Sequence, residues 1–283
     1  MLEHASAKLN LSLDVLGRAE GAYHPMRMVM QSVDFGDDVD IELTDGSFSL
    51  DPGAPYLPRD ERNLAMKAAM LFLAGSGHGA SIRITKRSPV CAGMGGGSSD
   101  AAAVLRGLNR LTGEARSEAE LCALAEKIGS DVAFCVAGGT QLAEGRGEKL
   151  TPLPALPDCA IVIAKPAFAI STPTLFAKID ARKSRMHPDT AGMVDALEHG
   201  ELGGVCRRIY NVFEDVLPRN CGEIADIKSA LLSAGALGAA MTGTGSAVFG
   251  LFDSDTAAEA AYKTLHERYE ECWLTRPAPR ETV

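Results

Sequence analysis

The sequence lacks closely spaced cysteines. It contains seven of them, and the nearest two, Cys122 and Cys135, are 13 positions apart. A C-x-x-C motif for zinc binding or redox exchange is therefore excluded. Since a scattered, odd-numbered set is typical of reduced thiols, we expect a cytoplasmic protein.

Long apolar runs and an excess of positive charge are also missing. No stretch approaches the roughly 18 consecutive apolar residues of a membrane span, and the first ten residues lack the basic start and apolar run of a signal peptide. Asp and Glu number 37 against 28 Lys and Arg, for a formal net charge of −9. We therefore expect no association with a membrane and no sequence-independent binding of nucleic acid.

Hydrophobic periodicity predicts an α+β protein in two parts. Apolar and polar residues alternate from Ser6 to Leu16, which predicts a half-buried strand with its odd-numbered apolar residues on one face. A capping box at Ser117–Glu120 predicts the start of a helix that ends at Gly129. Further strands are predicted at 39–43, 81–85, 160–164 and 272–275, with a glycine-punctuated pair of strands at 237–252 and a hairpin at 142–150. Further helices are predicted at 64–73, from 98, and near 172–180, 201–216, 222–234 and 255–269.

The 283 residues, of which 46% are hydrophobic, are enough for two folded domains. The proline-rich connector Thr151–Pro157 is stiff and separates the predicted elements into two groups. We therefore place the domain boundary there, with one domain at 1–153 and the other at 154–283.

Four glycines in five positions precede the helix predicted from Ser98. Glycine lets the backbone adopt positive φ and approach a ligand, so that successive N–H groups can converge on an anion. The helix N-terminus adds a partial positive charge at the same place. A flexible loop with a serine N-cap is the alternative, but the pattern favours a phosphate-binding loop. The residues of this loop are Pro89, Val90, Cys91, Ala92, Gly93, Met94, Gly95, Gly96, Gly97, Ser98 and Ser99.

Three known glycine motifs do not fit this loop. A Walker A loop needs a lysine after its last glycine, but Gly97 is followed by Ser98. The dinucleotide fingerprint fails because Ser98 stands where its third glycine belongs, which argues against a Rossmann dehydrogenase. The nucleophile elbow of the hydrolases fails because Asp100 stands where its second glycine belongs.

Three other segments are candidates for chemistry, each with an ordinary structural alternative. Lys8 and Asn10 lie on one strand face about 7 Å apart, where the lysine could meet a phosphate or simply face solvent. Asp131 precedes an apolar run that could shield its carboxylate from water, which suits a general base or charge stabiliser. A role as helix N-cap explains its spacing better. The glycine-rich stretch Met241–Gly250 fits a hairpin turn as well as a ligand loop.

Taken in order, these segments resemble the three motifs of the GHMP small-molecule kinases. The N-terminal lysine strand corresponds to Ser6–Leu11, the central glycine–serine loop to Pro89–Ser99, and the C-terminal glycine loop to Met241–Ser246. The likeness covers essentially the whole chain. It implies a two-domain α+β GHMP kinase fold with the active site in the cleft between the domains.

Further motifs resemble the branch of this family that phosphorylates the 2-hydroxyl of a cytidine diphosphate-linked methylerythritol. These motifs are Tyr23-His24, Gly95–Asp100, Gly129–Val132 and Asn211–Glu214. The chain departs from the usual pattern at Ala22, Cys91, Ser130 and Ala133. Another GHMP kinase with a mevalonate-like or homoserine-like substrate is the nearest alternative, and a nucleotide-binding regulator without turnover is a second one.

The resemblance also implies a role for particular residues. ATP with Mg²⁺ would be the phosphoryl donor, held by the loop 89–99, and Lys8 and Asp131 would be the catalytic residues. Tyr23 and Phe176 would grip the cytosine of the small-molecule substrate. The full set of predicted substrate-binding residues is Asn10, Tyr23, His24, Thr172 and Phe176. Neither metal ligands nor the oligomeric state are predicted.

Overall fold

The structure is a computed structural model that describes residues 1–17, 24–113, 116–182 and 186–281. The strands within these ranges are β1 (Leu2–Val15), β2 (Met26–Thr44), β3 (Phe48–Asp51), β4 (Gly79–Thr85), β5 (Thr140–Gly145), β6 (Lys149–Pro152), β7 (Ala160–Ala164), β8 (Tyr210–Asn211), β9 (Gly238–Met241), β10 (Val248–Phe252) and β11 (Cys272–Thr275). The α-helices are α1 (Leu64–Phe72), α2 (Gly96–Leu111), α3 (Glu118–Ala125), α4 (Val132–Ala137), α5 (Thr172–Ala181), α6 (Thr190–Glu198), α7 (Leu202–Cys206), α8 (Gly222–Ser233) and α9 (Asp255–His266).

The strands form two sheets. The first has the order β3-β4-β2-β1-β8, with β5 paired to β2 and β6 paired to β5. The long strand β2 is antiparallel to β1 on one edge, and its other edge is shared by β5 and β4. The second sheet is antiparallel with the order β11-β7-β10-β9. The predicted mixture of sheet and helix is therefore present in both parts of the chain.

Strand β1 is buried on both faces, so the prediction of a half-buried strand was wrong. Its polar residues at alternate positions from Lys8 to Asp14 are each at most 4% exposed. The physical reason is that other parts of the chain cover both faces. The odd-numbered apolar residues lie in buried clusters, and the even-numbered side chains are covered by Asp131, Met28 and His187. Its pairing with β2 also shifts register twice, between Ser6 and Lys8 and between Asn10 and Ser12. Such shifts interrupt the alternation of faces.

The two register shifts divide the odd-numbered apolar residues of β1 between two buried clusters. The middle three, from Ala7 to Leu11, belong to a cluster that includes Ile161 and Phe249 of the second sheet. The residues on either side pack in a different cluster with the helices of the first part. These flanking residues are Ala5, Leu13 and Val15. The expectation that all five predicted apolar positions share one face is therefore corrected.

Most of the predicted helices are present, and one is not. Ser117 caps α3 with the predicted capping box, but the helix ends at Ala125 and not at Gly129. The helix predicted near 201–216 was wrong, since α7 ends at Cys206 and is followed by β8 and by the 3₁₀-helix Val212–Val216. The side chain of Asn211 donates to the carbonyls of Met241 and Gly243, both at 2.7 Å, which holds this segment in an extended form.

The end of the described chain returns to the first part. Ala278 N donates to Ser32 O at 2.8 Å, and Glu281 N donates to Ala137 O at 3.0 Å. Strand β8 likewise comes from the second half of the sequence but pairs with β1. A domain boundary at 153/154 stays a prediction. Among the described residues, no helix combines the length and apolar character needed to cross a membrane.

Candidate active site

A cavity of about 700 Å³ is lined by residues from both parts of the chain. Lys8 and Asn10 of β1 line it together with Asp131, which comes from the first half. Thr172 and Phe176 of α5 line it from the second half. Of the predicted catalytic and substrate-binding residues, Lys8, Asn10, His24, Asp131, Thr172 and Phe176 therefore meet in one cavity. Tyr23 lies outside the residues that the structure describes.

Lys8 lies between Asn10 and Asp131 at one end of this cavity. Its ammonium Nζ donates to Asn10 Oδ1 at 2.7 Å and lies 3.4 Å from Asp131 Oδ2. The Lys8 side chain is 5% exposed and that of Asp131 is 32% exposed, so a ligand in the cavity can reach the carboxylate. Asp131 stands at the N-cap position of α4, but its side chain makes no capping hydrogen bond. The carboxylate of Asp131 therefore faces Lys8 and does not cap the helix.

The predicted phosphate loop has the backbone that its glycines allow. Gly93 and Gly95 have φ of 76° and 72°, and α2 begins directly after Gly95 at residue 96, two residues before the predicted start. Cys91, which replaces a glycine of the family pattern, also has a positive φ of 56°. Residues of the loop line a second cavity of about 350 Å³, to which Gly97 contributes. A Cβ built on Gly97 meets no atom within 4 Å.

The phosphate loop and the C-terminal glycine loop lie against each other. Ala247 N donates to Ala92 O at 3.1 Å, and Thr242 Oγ1 donates to Gly93 O at 3.2 Å. A Cβ on Gly93 would lie 2.0 Å from Thr242 O, so only glycine allows this approach. Gly93 and Gly95 line both cavities, which therefore adjoin next to Lys8. Thr244 of the C-terminal loop lines the larger cavity, in keeping with a ligand loop.

A buried cluster of charges supports the start of α2. Lys86 Nζ donates to Asp37 Oδ2 at 2.6 Å and to Asp100 Oδ2 at 2.8 Å. Burial of Asp100 raises the pKa of its carboxyl to about 7, although Lys86 lowers this pKa and Asp37 raises it. Burial also raises the pKa of Asp37, but Lys86 and hydrogen bonds from Ser88 outweigh burial and lower it overall. A protonated Asp100 near neutral pH reduces the repulsion between the two carboxyls.

The other end of the larger cavity is aromatic. The His24 and Phe176 rings are stacked, with centroids 4.6 Å apart and an angle of 24° between the planes. Phe176 meets Phe213 at 5.0 Å and 82°. Thr172 Oγ1 lies 2.8 Å from Thr244 Oγ1, which links α5 to the C-terminal glycine loop. The cavity therefore has a charged end at Lys8 and an aromatic end at Phe176.

Comparison with known proteins identifies the family of the chain. The model of the GHMP kinases N terminal domain matches residues 63–139, and that of the GHMP kinases C terminal matches residues 193–271. A relative from Clostridium botulinum named 4-diphosphocytidyl-2-C-methyl-D-erythritol kinase is 41% identical over 278 residues, which cover 98% of this chain and 99% of that protein. The chain belongs to the GHMP kinase family.

Solved structures have the fold of this GHMP kinase. A crystal structure of 4-(cytidine 5'-diphospho)-2C-methyl-D-erythritol kinase has a TM-score of 0.84 at 31% identity, and the match covers 98% of this chain and 99% of the other. The homoserine kinase from Cytophaga hutchinsonii has a TM-score of 0.76 at 20% identity, covering 99% of this chain and 95% of the other, and so indicates a shared fold only. The predicted α+β GHMP kinase fold and the kinase class are confirmed.

Some residues of this GHMP kinase site were missed by sequence reasoning. Asp180 lines the larger cavity and follows Phe176 by four residues, a spacing that places both on one helix face and could have indicated it. Met28 accepts a hydrogen bond from Asn10 Nδ2 at 3.3 Å, and nothing local in β2 indicates that contact. Lys86 comes from the end of β4, and only the tertiary structure places it below the phosphate loop. Among the described residues, no group of three or more His, Cys, Asp or Glu could hold a metal ion.

Proposed function

We propose that this GHMP kinase transfers the γ-phosphoryl group of ATP to the 2-hydroxyl of 4-diphosphocytidyl-2-C-methyl-D-erythritol. One observation carries the proposal: the cavity at the glycine-rich loop adjoins a larger cavity through Gly93 and Gly95, and that larger cavity is lined by Lys8, Asp131 and aromatic rings. A donor, a reacting hydroxyl and a planar base can thus be accommodated in sequence. The names of the Clostridium relative and of the solved 31%-identical kinase support this substrate.

ATP fits the second cavity by the chemistry of its lining. The backbone N–H groups in the first turn of an α-helix have no partner within the helix, so those at the start of α2 can bind phosphate oxygens. Gly97 leaves open space there, since no atom lies within 4 Å of a Cβ built on it. Loop residues 89–99 would hold the ATP phosphates. Mg²⁺ is proposed with ATP because it neutralises the charge of the phosphates in phosphoryl transfer.

Lys8 and Asp131 are proposed to act on the acceptor hydroxyl. The hydroxyl oxygen forms a bond to the γ-phosphorus while the bond from that phosphorus to the β–γ bridging oxygen breaks, and ADP leaves. Asp131, which a ligand in the cavity can reach, takes the hydroxyl proton. The Lys8 ammonium stabilises the negative charge of the transferring group and keeps the carboxylate oriented.

The remaining predicted residues are proposed to bind the acceptor. Asn10 lies next to Lys8, close to where the hydroxyl would react. His24, Phe176 and Thr172 lie at the other end, where the cytosine would stack on an aromatic ring. Tyr23 is proposed as a second stacking partner from the resemblance. A cavity of about 700 Å³ is of the size that holds such a molecule.

A coupled assay of ADP release over a panel of alcohols tests the proposal. The cytidine diphosphate-linked acceptor should be phosphorylated far faster than 2-C-methyl-D-erythritol 4-phosphate, mevalonate or homoserine. A small alcohol without a base would make no stacking contact at the aromatic end of the cavity. Equal rates with and without the cytidine group would contradict the proposed substrate, and absence of ADP release with every alcohol would favour a regulator without turnover. A cytoplasmic location is part of the proposal.

A further inference from the structure

The aromatic end of the larger cavity holds a paired imidazole and carboxylate. His24 Nε2 lies 2.9 Å from Asp180 Oδ1. The two side chains are only 14% and 15% exposed, and both line the cavity. A hydrogen bond that is shielded from water in this way restricts a side chain more strongly than one at an open surface.

Two contacts together determine how the His24 ring is oriented. The ring lies on Phe176 with 24° between the planes, which restricts its tilt. The hydrogen bond to Asp180 at the ring edge restricts its rotation within that plane. Asp180 and Phe176 are four residues apart in α5, so a single helix face supplies both contacts. The orientation of His24 is therefore built into the fold before any ligand binds.

We propose that Asp180 is a positioning residue for recognition of the pyrimidine base of the phosphoryl acceptor. This inference rests on the proposed function. A carboxylate only accepts hydrogen bonds, so Asp180 accepts from Nε2–H and Nδ1 is the ring nitrogen that His24 has left to face a ligand. With the ring held against Phe176, that nitrogen is presented in one direction beside an aromatic surface, and the base meets a preorganised site.

The position of Asp180 in the cavity means that its loss should affect binding of the acceptor and not the phosphoryl-transfer step. Lys8 and Asp131 form the charged end of the cavity, and Asp180 belongs to the aromatic end. Loss of the Asp180 oxygen should therefore weaken binding of the acceptor and leave the transfer step and ATP binding unchanged. A merely structural role in α5 would instead lower the melting temperature without this selectivity.

Calorimetric titration with CDP in the absence of ATP tests the inference. Asp180→Leu removes the acceptor oxygen but keeps the branched shape of the side chain, and the Kd for CDP should rise about tenfold, as expected for loss of one shielded hydrogen bond. Asp180→Asn keeps an oxygen in the same place, so its Kd should stay within about threefold of the wild-type value. In steady-state assays of Asp180→Leu, the KM of the acceptor should rise, while kcat and the KM of ATP should not change.

Asp195→Leu is the matched control. It removes the carboxylate 3.5 Å from His199 in an exposed pair that does not line the cavity, so CDP binding should be unaffected. If Asp180→Leu does not fold, Asp180→Ala takes its place. In a His24→Ala background, removal of the Asp180 oxygen should change the Kd by much less than it does in the wild type, because the side chain that it positions is gone.

Two results would overturn the inference. The first is a folded Asp180→Leu or Asp180→Ala variant that binds CDP as tightly as the wild type. The second is an equal loss in Asp180→Asn and Asp180→Leu, because the amide of the former retains the acceptor. Failure of the wild-type protein to bind CDP or to phosphorylate the acceptor would instead refute the proposed function.

Discussion

Replacing Gly97 by alanine should separate nucleotide binding from folding. Gly97 is the second residue of α2, is exposed, and lines the smaller cavity. Since a Cβ there meets no protein atom within 4 Å, the methyl group creates no clash in the free protein. Alanine loses less conformational entropy than glycine in a helix, so the free energy of unfolding should rise by about 0.5–1 kcal/mol. The same methyl group occupies space that a phosphate oxygen needs, and the Kd for ATP should rise at least about tenfold, or about 1.4 kcal/mol.

Gly222 provides the matched control for this experiment. It is the first residue of α8, is exposed, and likewise has no atom within 4 Å of a built Cβ. Gly222→Ala should bring a similar gain in stability and leave the affinity for ATP unchanged. Urea unfolding measures the first quantity and calorimetry with ATP the second. Unchanged ATP affinity in a stabilised Gly97→Ala variant would refute the placement of the phosphates at the start of α2.

Three further predictions concern catalysis, the acceptor and pH. Asp131→Asn and Lys8→Met should each lower kcat by about 10²-fold or more in the ADP-release assay while the fold is retained, and near-normal turnover would exclude that residue from the mechanism. Phe176→Ala should raise the KM of the acceptor about ten- to a hundredfold with the KM of ATP unchanged, whereas Phe48→Ala, a half-buried residue of the same core outside the cavity, should reduce only stability. Burial holds the pKa of Asp100 at about 7 against an ordinary value of 3.8, so the folded chain retains a proton that the unfolded chain has lost. The wild-type free energy of unfolding should therefore fall relative to that of Asp100→Asn as pH rises from about 4 to about 7, by about 1 kcal/mol per pH unit. Parallel pH profiles of the two proteins would contradict this.

The conformation of the glycine-rich loop could be predicted from sequence because its signal is local. Gly93 and Gly95 adopt the positive φ that their residue type allows, and the amphipathic helix follows directly. The same reasoning did not place Lys86, which reaches Asp37 only because β4 pairs with β2 in the sheet. Its salt bridges join residues 37, 86 and 100, which are far apart in the chain.

The roles left open for Asp131 illustrate the limit of spacing arguments. The residue does stand at a helix N-cap position, as the spacing indicated, but its side chain does not cap the helix. The competing partner is Lys8, which lies more than 120 residues earlier in the chain. Local spacing gives the position of a side chain along an element, and the choice between partners depends on the packing of both halves.

The sequence by itself determined that β1 is a strand and α2 a helix, the glycine loop that precedes α2, and the order of motifs that indicates a GHMP kinase. These follow from hydrophobic periodicity and from the conformations that glycine alone adopts, both of which act over a few residues. Only the tertiary structure decided which way Lys8 and Asn10 point. In the sequence the alternation from Ser6 to Leu16 is unbroken, but pairing with β2 shifts register on both sides of these two residues. Such shifts arise from hydrogen bonding between strands and from the packing of two separate cores, and these interactions exist only once distant parts of the chain have come together.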